Sequence, residues 1–132
     1  MANHLHHIHI FASDLDYSMA FYQEVFGAEV MLDREFAGAR NVFMSVGRGR
    51  LHLYDQQPRQ LERGGIHHFG IQTDELDLIP DRLAAFGVES DKGIRDYGVW
   101  RYLMVPAPDS ILVEVFEVDR SQVPTGLEDY FF

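Results

Sequence analysis

Four residues of types that bind metals recur at matching positions in the two halves of the sequence. His7 and His68 are 61 positions apart, and His52 and Glu114 are 62 positions apart. Because the chain contains no cysteine, any metal must be held by imidazole nitrogen and carboxylate oxygen, which zinc, iron, manganese, cobalt and nickel all accept. The spacing therefore indicates one divalent metal ion, of undetermined identity, shared by two similar halves.

The residues around these candidates repeat as well. Leu5–Ile10 aligns with Ile66–Ile71, and Phe26–Gly27 aligns with Phe86–Gly87 at an offset of 60 positions. Residues two apart in a strand share a face, so the first and last strands of each half can present their candidates together. If each half curls its sheet, pairing the halves would bring all four side chains to one centre.

The composition is that of a single globular domain with a small-molecule substrate. The chain has 132 residues, of which 46% are hydrophobic and 13% aromatic, as in a packed domain. Its formal net charge of −10 disfavours binding to nucleic acid or to an anionic membrane, because both require clustered basic residues. No apolar run has the length of a membrane helix and no export signal is evident, so a cytoplasmic location is expected.

Hydrophobic periodicity predicts the same order of elements in each half. In the first half, a strand over 5–12 precedes a helix that starts at Asp14, and three strands follow at 28–35, 41–46 and 50–55. In the second half, a strand over 66–73 precedes a helix with apolar residues at Leu76, Ile79, Leu83 and Phe86, in which Pro80 is acceptable only in the first turn, and strands follow at 88–96, 99–105 and 111–118. The sequence thus predicts an α+β fold in which two βαβββ modules form a curved mixed sheet around the metal.

We expect one domain over residues 1–132. Module one spans 5–55, a linker spans 56–65, module two spans 66–118 and a C-terminal tail spans 119–132. The linker shows turn-forming residues without an apolar period. The tail ends in three aromatic residues, which are expected to pack on this subunit or on a partner because adjacent exposed rings are uncommon: Tyr130, Phe131 and Phe132.

Further residues supply candidate catalytic and substrate-binding groups. His9 and Tyr54 share the predicted metal-binding face and could act as a base or as hydrogen-bond partners of the substrate. His52 is either a fourth ligand or an acid-base group. Arg50 and Arg101 could each anchor a substrate carboxylate.

Several further residues are predicted to have structural roles. A surface or packing role is expected for the remaining histidines: His4, His6 and His67. Core packing is expected for three residues on a strand that borders the predicted pocket: Trp100, Tyr102 and Met104. Replacing His67 by alanine is accordingly expected to leave the metal content unchanged, whereas the same change at His68 or Glu114 should remove the metal.

The sequence resembles the vicinal oxygen chelate superfamily over residues 5–118. In the first half, the residues that carry the resemblance are His7–Ile10, Ser13–Asp16, Ser18, Phe21–Tyr22 and Phe26–Gly27. In the second half they are His68–Ile71, Phe86–Gly87, Pro108–Ser110 and Val113–Val115. The superfamily includes glyoxalase I, methylmalonyl-CoA epimerase, fosfomycin-resistance transferases, extradiol dioxygenases and bleomycin-resistance binding proteins.

The resemblance implies paired modules around a metal, with ligands at His7, His68 and Glu114. His52 stands where glyoxalases carry Glu and epimerases carry Gln, which leaves the fourth ligand open. The shared chemistry of the superfamily is Lewis-acid activation of chelating oxygens, which stabilises an enolate or enediolate. Relatives of this length commonly form homodimers, either side by side or with exchanged modules.

Four functions follow from these alternatives. If His52 binds the metal, two adjacent positions remain for a bidentate substrate, which favours a lyase or isomerase of the glyoxalase or epimerase kind. If His52 is free, two histidines and one carboxylate suit Fe(II) and favour an extradiol-type dioxygenase. The resemblance also admits a thiol transfer of the fosfomycin-resistance kind and a metal-free, ligand-sequestering protein. We favour the lyase or isomerase, and metal content would distinguish the alternatives.

Overall fold

The chain folds as two units of similar topology, Met1–Glu62 and Arg63–Phe132. The computed structural model describes residues 5–36, 38–58, 66–90 and 92–132. The first unit contains, in chain order, β1 (Ile8–Ala12), α1 (Leu15–Phe26), β2 (Glu29–Phe36), β3 (Ala39–Val46) and β4 (Gly49–Asp55). The second unit contains β5 (Phe69–Gln72), α2 (Ile79–Phe86), β6 (Arg95–Asp96), β7 (Trp100–Ala107), β8 (Ile111–Val118) and α3 (Glu128–Phe131).

Each unit is built on a four-stranded mixed sheet. The strand order is β1-β4-β3-β2 in the first unit and β5-β8-β7-β6 in the second. The pairs β1–β4 and β5–β8 are parallel, and the other neighbours are antiparallel. Both units therefore have the predicted βαβββ order, and the predicted α+β class is confirmed.

Both main helices end at a capping glycine, and α1 also begins at a capping side chain. The Asp14 side chain accepts a hydrogen bond from the Tyr17 backbone N–H at 3.0 Å, which caps α1. Gly27 and Gly87 end α1 and α2 with φ of 67° and 87°, a left-handed conformation that glycine adopts without strain. Pro80 lies in the first turn of α2, as predicted. None of the helices in the described ranges is long and apolar enough to cross a bilayer.

Alternation along the strands gives each sheet one buried face and one more polar face. On β4, Leu53 is fully buried, whereas the adjacent His52 is half-buried and points to the opposite face. On β8, Val115 is fully buried and the adjacent Glu114 points to the opposite face. The candidate metal ligands of β4 and β8 therefore lie on the faces that the apolar cores leave open.

The predicted strand over 88–96 is mostly absent. Within the described part of this segment, only Arg95–Asp96 pairs as a strand, with β7. Residues 88–90 carry no strand assignment, and Gly93 adopts a φ of 58° that interrupts extended backbone. The run from Glu89 to Gly93 is polar and offers no apolar alternation to bury, which explains why the corresponding strand of the first unit, β2, is longer.

The C-terminal tail packs on the second unit through two of its three aromatic rings. The Phe131 ring meets the Trp100 ring edge-on, with centroids 5.6 Å apart. The Arg120 guanidinium lies 3.9 Å from the centroid of Phe132. The tail is therefore joined to β7, although Tyr130 remains 79% exposed. Most of the predicted linker, residues 59–65, lies outside the described residues.

Candidate metal centre

The polar face of the first unit carries a stack of aromatic rings centred on His52. The His52 ring lies between His7 and Phe43, with centroids 3.8 Å from each and interplanar angles of 15° and 14°. Sheet register explains the contact with Phe43, because Phe43 on β3 is the direct partner of His52 on β4. His7 immediately precedes β1, the strand on the other side of β4. The structure thus brings together both predicted ligands of this unit.

His6 belongs to the same cluster, although only a surface or packing role was expected for it. Its Nδ1 lies 3.1 Å from Nδ1 of His7. Ring nitrogens of His6, His7 and His52 all lie within 4.8 Å of one another. The sequence does contain a signal for His6 that was missed. His6 and His7 form a doublet that recurs in the second half as His67 and His68.

The environment of His52 favours the neutral imidazole. Burial lowers the pKa of His52 most, and the neighbouring His7, His6 and His9 lower it further. A neutral imidazole keeps one nitrogen lone pair available at physiological pH. His52 can therefore accept a proton or bind a metal without first losing a proton.

His9 and Tyr54 extend the aromatic face along β1 and β4. Their ring centroids lie 5.7 Å apart, and the Phe11 ring lies 5.8 Å from His9 and 6.0 Å from Tyr54. His9 is the register partner of His52 across the parallel β1–β4 pair. Both predicted acid-base candidates consequently lie on the same face as His52, next to an apolar ring.

The second unit presents a hydrogen-bonded ligand pair in place of the ring stack. His68 Nε2 lies 2.8 Å from Glu114 Oε2. The other carboxylate oxygen, Oε1, accepts a hydrogen bond of 2.9 Å from Trp100 Nε1. On its far side, His68 Nδ1 lies 2.8 Å from His67 Nδ1. A continuous chain of contacts therefore runs from His67 through His68 and Glu114 to Trp100.

Gly70 lets the Phe116 ring lie close to the backbone beside Glu114. Gly70 is the register partner of Glu114 across the parallel β5–β8 pair. A Cβ atom at this position would lie 3.1 Å from Phe116 Cε1, closer than ordinary van der Waals contact. The first unit has His9 at the corresponding position, so an imidazole on the first face corresponds to a position without a side chain on the second.

Arg101 lies away from this face. It neighbours the buried Leu103 side of β7, and its register partner is Glu117. Its guanidinium donates to Asp77 at 2.7 Å and to Glu117 at 3.0 Å, and these carboxylates raise the pKa of Arg101. The expected role of Arg101 as a carboxylate anchor is therefore replaced by a structural one: it joins the segment preceding α2 to the sheet.

Arg50 lies at a cavity of the first unit. The cavity has a volume of about 630 Å³, and the residues that line it include Met31, Phe43, Arg48, Arg50 and His52. Within the described ranges, no carboxylate forms an ion pair with Arg48 or Arg50. The Arg50 guanidinium donates a long hydrogen bond of 3.4 Å to the Arg48 carbonyl oxygen. The cavity thus combines an apolar wall, a neutral imidazole and two uncompensated positive charges.

The ligand pair of the second unit fits a divalent metal. Two adjacent ligands at right angles, each about 2.1 Å from the ion, are separated by about 3 Å. The 2.8 Å between His68 Nε2 and Glu114 Oε2 is close to that distance. Imidazole nitrogen with carboxylate oxygen also suits manganese, iron, cobalt, nickel and zinc. His68 and Glu114 can therefore hold such an ion after small movements.

Two βαβββ modules, each with candidate ligands on the open face of its sheet, define the class of duplicated α+β proteins. The model of the Glyoxalase/Bleomycin resistance protein/Dioxygenase superfamily matches residues 4–115. The chain belongs to this superfamily, which confirms the resemblance recognised in the sequence. A comparison with curated protein sequences finds no match.

Solved structures show the same fold. The fosfomycin resistance protein FosX from Listeria monocytogenes, as a variant complexed with Mn(II) and 1S,2S-dihydroxypropylphosphonic acid, is 27% identical with a TM-score of 0.70, over 87% of this chain and 92% of that chain. Lactoylglutathione lyase from Agrobacterium tumefaciens is 27% identical with a TM-score of 0.65, over 88% and 94%. A glyoxylase/bleomycin resistance protein/dioxygenase domain from Frankia sp. EAN1pec is 17% identical with a TM-score of 0.74, over 90% and 100%. Divalent metal use therefore occurs among the relatives of this chain.

Proposed function

We propose that the protein is a metal-dependent lyase or isomerase that acts on a small, oxygenated anion. The proposed ligands are His7 from the first module and His68 and Glu114 from the second. The observation that carries the proposal is the 2.8 Å approach of His68 Nε2 to Glu114 Oε2 in a superfamily whose solved members include Mn(II) complexes. When bound, a divalent metal supplies Lewis-acid polarisation of chelating oxygens.

His52 is proposed as the acid-base group. Two imidazoles can bind one ion only if the ion lies in the plane of both rings, and rings stacked 3.8 Å apart do not share such a plane. His52 would have to rotate before it could join His7 as a fourth ligand. In its observed position, the neutral imidazole is instead suited to accepting a proton from carbon or oxygen of the substrate.

His9 and Tyr54 are proposed to assist His52. The Tyr54 hydroxyl can donate to a substrate oxygen, and the His9 imidazole can exchange a proton. Their 5.7 Å ring separation and their position on the face of His52 support this role. The Phe11 ring beside both of them limits water at this end of the face.

Arg50, with its neighbour Arg48, is proposed to bind the anionic group of the substrate. Both guanidinium groups are exposed and have no carboxylate partner among the described residues, in a chain of net charge −10. A phosphonate or carboxylate would neutralise them and form charge-assisted hydrogen bonds. The cavity of about 630 Å³ lies in the size range of small-molecule sites. The ligand of the FosX relative, 1S,2S-dihydroxypropylphosphonic acid, combines an anionic group with two adjacent hydroxyl oxygens, as expected of the proposed substrate.

An extradiol-type dioxygenase is the second candidate function. The same stacking of His52 on His7 supports it, because a His52 outside the ligand set leaves two histidines and one carboxylate, the arrangement suited to Fe(II). What favours the lyase or isomerase is the pair of arginines proposed to bind an anion, which a catechol does not need. Iron content with oxygen uptake on catechols would support this candidate. Proton exchange with manganese, nickel, cobalt or zinc would support the lyase or isomerase.

We also propose that the protein is a cytoplasmic homodimer. The unpaired outer edges of two small sheets offer strands for association. Sedimentation at several protein concentrations would test the dimer, and a monomer at all of them would contradict it.

The central experiment combines metal analysis with a substrate panel. The protein is purified without a polyhistidine tag, its metal content is measured, and the metal-free form is titrated with Mn(II), Ni(II), Zn(II) and Fe(II). Turnover is then measured on S-lactoylglutathione, on fosfomycin and on catechols. Stoichiometric metal together with turnover of an anionic substrate supports the proposal. A protein that binds none of these ions above the background of an H68A/E114A double variant contradicts it.

A further inference from the structure

Glu114 has a different partner on each carboxylate oxygen. Oε2 faces His68 at 2.8 Å, and Oε1 accepts the Trp100 indole N–H at 2.9 Å. The Glu114 side chain is only 15% exposed, so few water molecules compete for these positions. The carboxylate is therefore held by two fixed partners.

The indole is itself held by aromatic contacts within the second unit. Trp100 stacks on Phe116 with centroids 4.4 Å apart and an interplanar angle of 6°. The Phe131 ring meets the Trp100 ring edge-on, with centroids 5.6 Å apart. Because these contacts fix the plane of the indole, its N–H points at one place, which is Glu114 Oε1.

We propose that Trp100 is a positioning residue of the metal site, which makes Glu114 a monodentate ligand through Oε2. This inference rests on the proposed role of Glu114 as a metal ligand. The indole N–H is a donor only, so it satisfies Oε1 without competing for a metal ion. By occupying Oε1 it directs Oε2 toward the metal and prevents the carboxylate from rotating away.

The same contact makes Trp100 a reporter of the site. It is the single tryptophan of the sequence, so all tryptophan fluorescence arises from the ring bonded to Glu114. Binding of a cation at Oε2 draws electron density from the carboxylate and changes the field at the indole. Zn(II) should therefore shift the emission, and paramagnetic Mn(II) or Ni(II) should quench it.

The test is the W100F variant, with metal affinity measured by competition against a chelator. Phenylalanine retains a ring for Phe116 and Phe131 but has no N–H. We expect the Kd for Mn(II) and Zn(II) to rise by about 10–100-fold, as is typical when an outer hydrogen-bond partner of a ligand is removed. Y102F is the matched control, because Tyr102 lies on the same strand and stacks on Tyr97, and its affinity should equal that of the wild type.

A second substitution covers the case in which W100F does not fold. Biosynthetic replacement of tryptophan by β-(3-benzothienyl)alanine keeps the bicyclic shape and removes only the N–H, and it should weaken metal binding to the same extent. Wild-type affinity in either protein would overturn the inference while leaving the metal site intact. Absence of metal binding by the wild type would instead overturn the proposed function.

Discussion

The two units share a scaffold and differ on the face that their helices leave open. Both have a βαβββ order, a left-handed glycine after the helix and a histidine doublet before the first strand. The open face of the first unit is a stack of imidazole and phenyl rings around His52. The open face of the second is a polar pair, His68 and Glu114, with Trp100 as its donor. The first unit is therefore proposed to supply the acid-base and substrate-binding groups together with one ligand, His7, and the second unit the other two ligands.

The shared scaffold also includes an ion pair between helix and sheet. Arg40 donates to Asp16 at 2.7 Å, and Arg101 donates to Asp77 at 2.7 Å. Both members of the pair recur at an offset of 61 positions. This repeated contact thus connects corresponding elements in the two units.

The largest expected effect is loss of the metal in the second unit. Replacing Glu114 by alanine removes the anionic ligand, and we expect stoichiometric metal to fall to background and activity to be abolished. Metal analysis after gel filtration measures this. E114Q is the control for folding, because its amide oxygen can still accept the Trp100 N–H. Stoichiometric metal in E114A would contradict the division of roles between the units.

The next effect concerns catalysis in the first unit. H52F retains a ring between His7 and Phe43 but has no nitrogen, so we expect the metal to stay bound while turnover falls by about 10²–10⁴-fold, as for loss of a general base. Metal content and turnover are measured on the same preparation. Unchanged turnover would contradict an acid-base role, and loss of the metal would make His52 a ligand instead.

A smaller effect is expected from the histidine doublets. If His68 binds the metal through Nε2, its Nδ1 carries the proton and donates to His67 Nδ1, 2.8 Å away. H67A should leave saturating metal content unchanged, as the sequence predicts, but raise the Kd by about 10-fold. H67N restores an acceptor and should recover most of the affinity. Equal affinities in H67A and wild type would limit His67 to packing, and H6A applies the same test to the first unit.

The smallest expected effect is on acid stability. The hydrogen bonds from Arg40 and Arg101 hold the pKa values of Asp33 and Asp77 below the usual range of an aspartate side chain. A carboxyl group with a lower pKa in the folded state contributes stability above its unfolded pKa and loses it as pH falls through the folded value. R40Q and R101Q should therefore reduce the melting temperature slightly at pH 6 and show a smaller further decrease between pH 4 and pH 2. Both variants should show this pattern, through Asp33 in R40Q and through Asp77 in R101Q, and a deficit relative to the wild type that persists unchanged at pH 2 would contradict it.

The sequence predicted the scaffold well because burial enforces periodicity. The alternation around Leu53 and Val115 and the capping glycines determine the topology with little dependence on distant residues. The prediction of a strand over 88–94 was wrong. The length of the segment suggested a strand, but its polar residues offer no apolar side chains to bury on one face of a sheet. Arg101 was named as a candidate carboxylate anchor from its residue type alone, although the repeat of Arg40 and Asp16 could have identified its partner Asp77.

The details of the site depend on side-chain conformations, which cannot be read from the residue types. The pairing of His7 with His52 and of His68 with Glu114 follows from strand position. The donation from Trp100 to Glu114 depends on the rotamers of both side chains, and so does the stacking of His52 between two rings. Core packing was the expected role of Trp100, and its stack on Phe116 is compatible with that role as well as with the hydrogen bond.

The repeated ion pair gives a relative chronology for the features of this chain. If both halves arose from one ancestral gene segment, a feature present in each half is older than the duplication, whereas a feature of one half arose after it or was lost from the other. The Arg–Asp ion pair and the histidine doublet then belong to the ancestor. The differences at Glu114 and Trp100 date from after the duplication, through change in one half or the other.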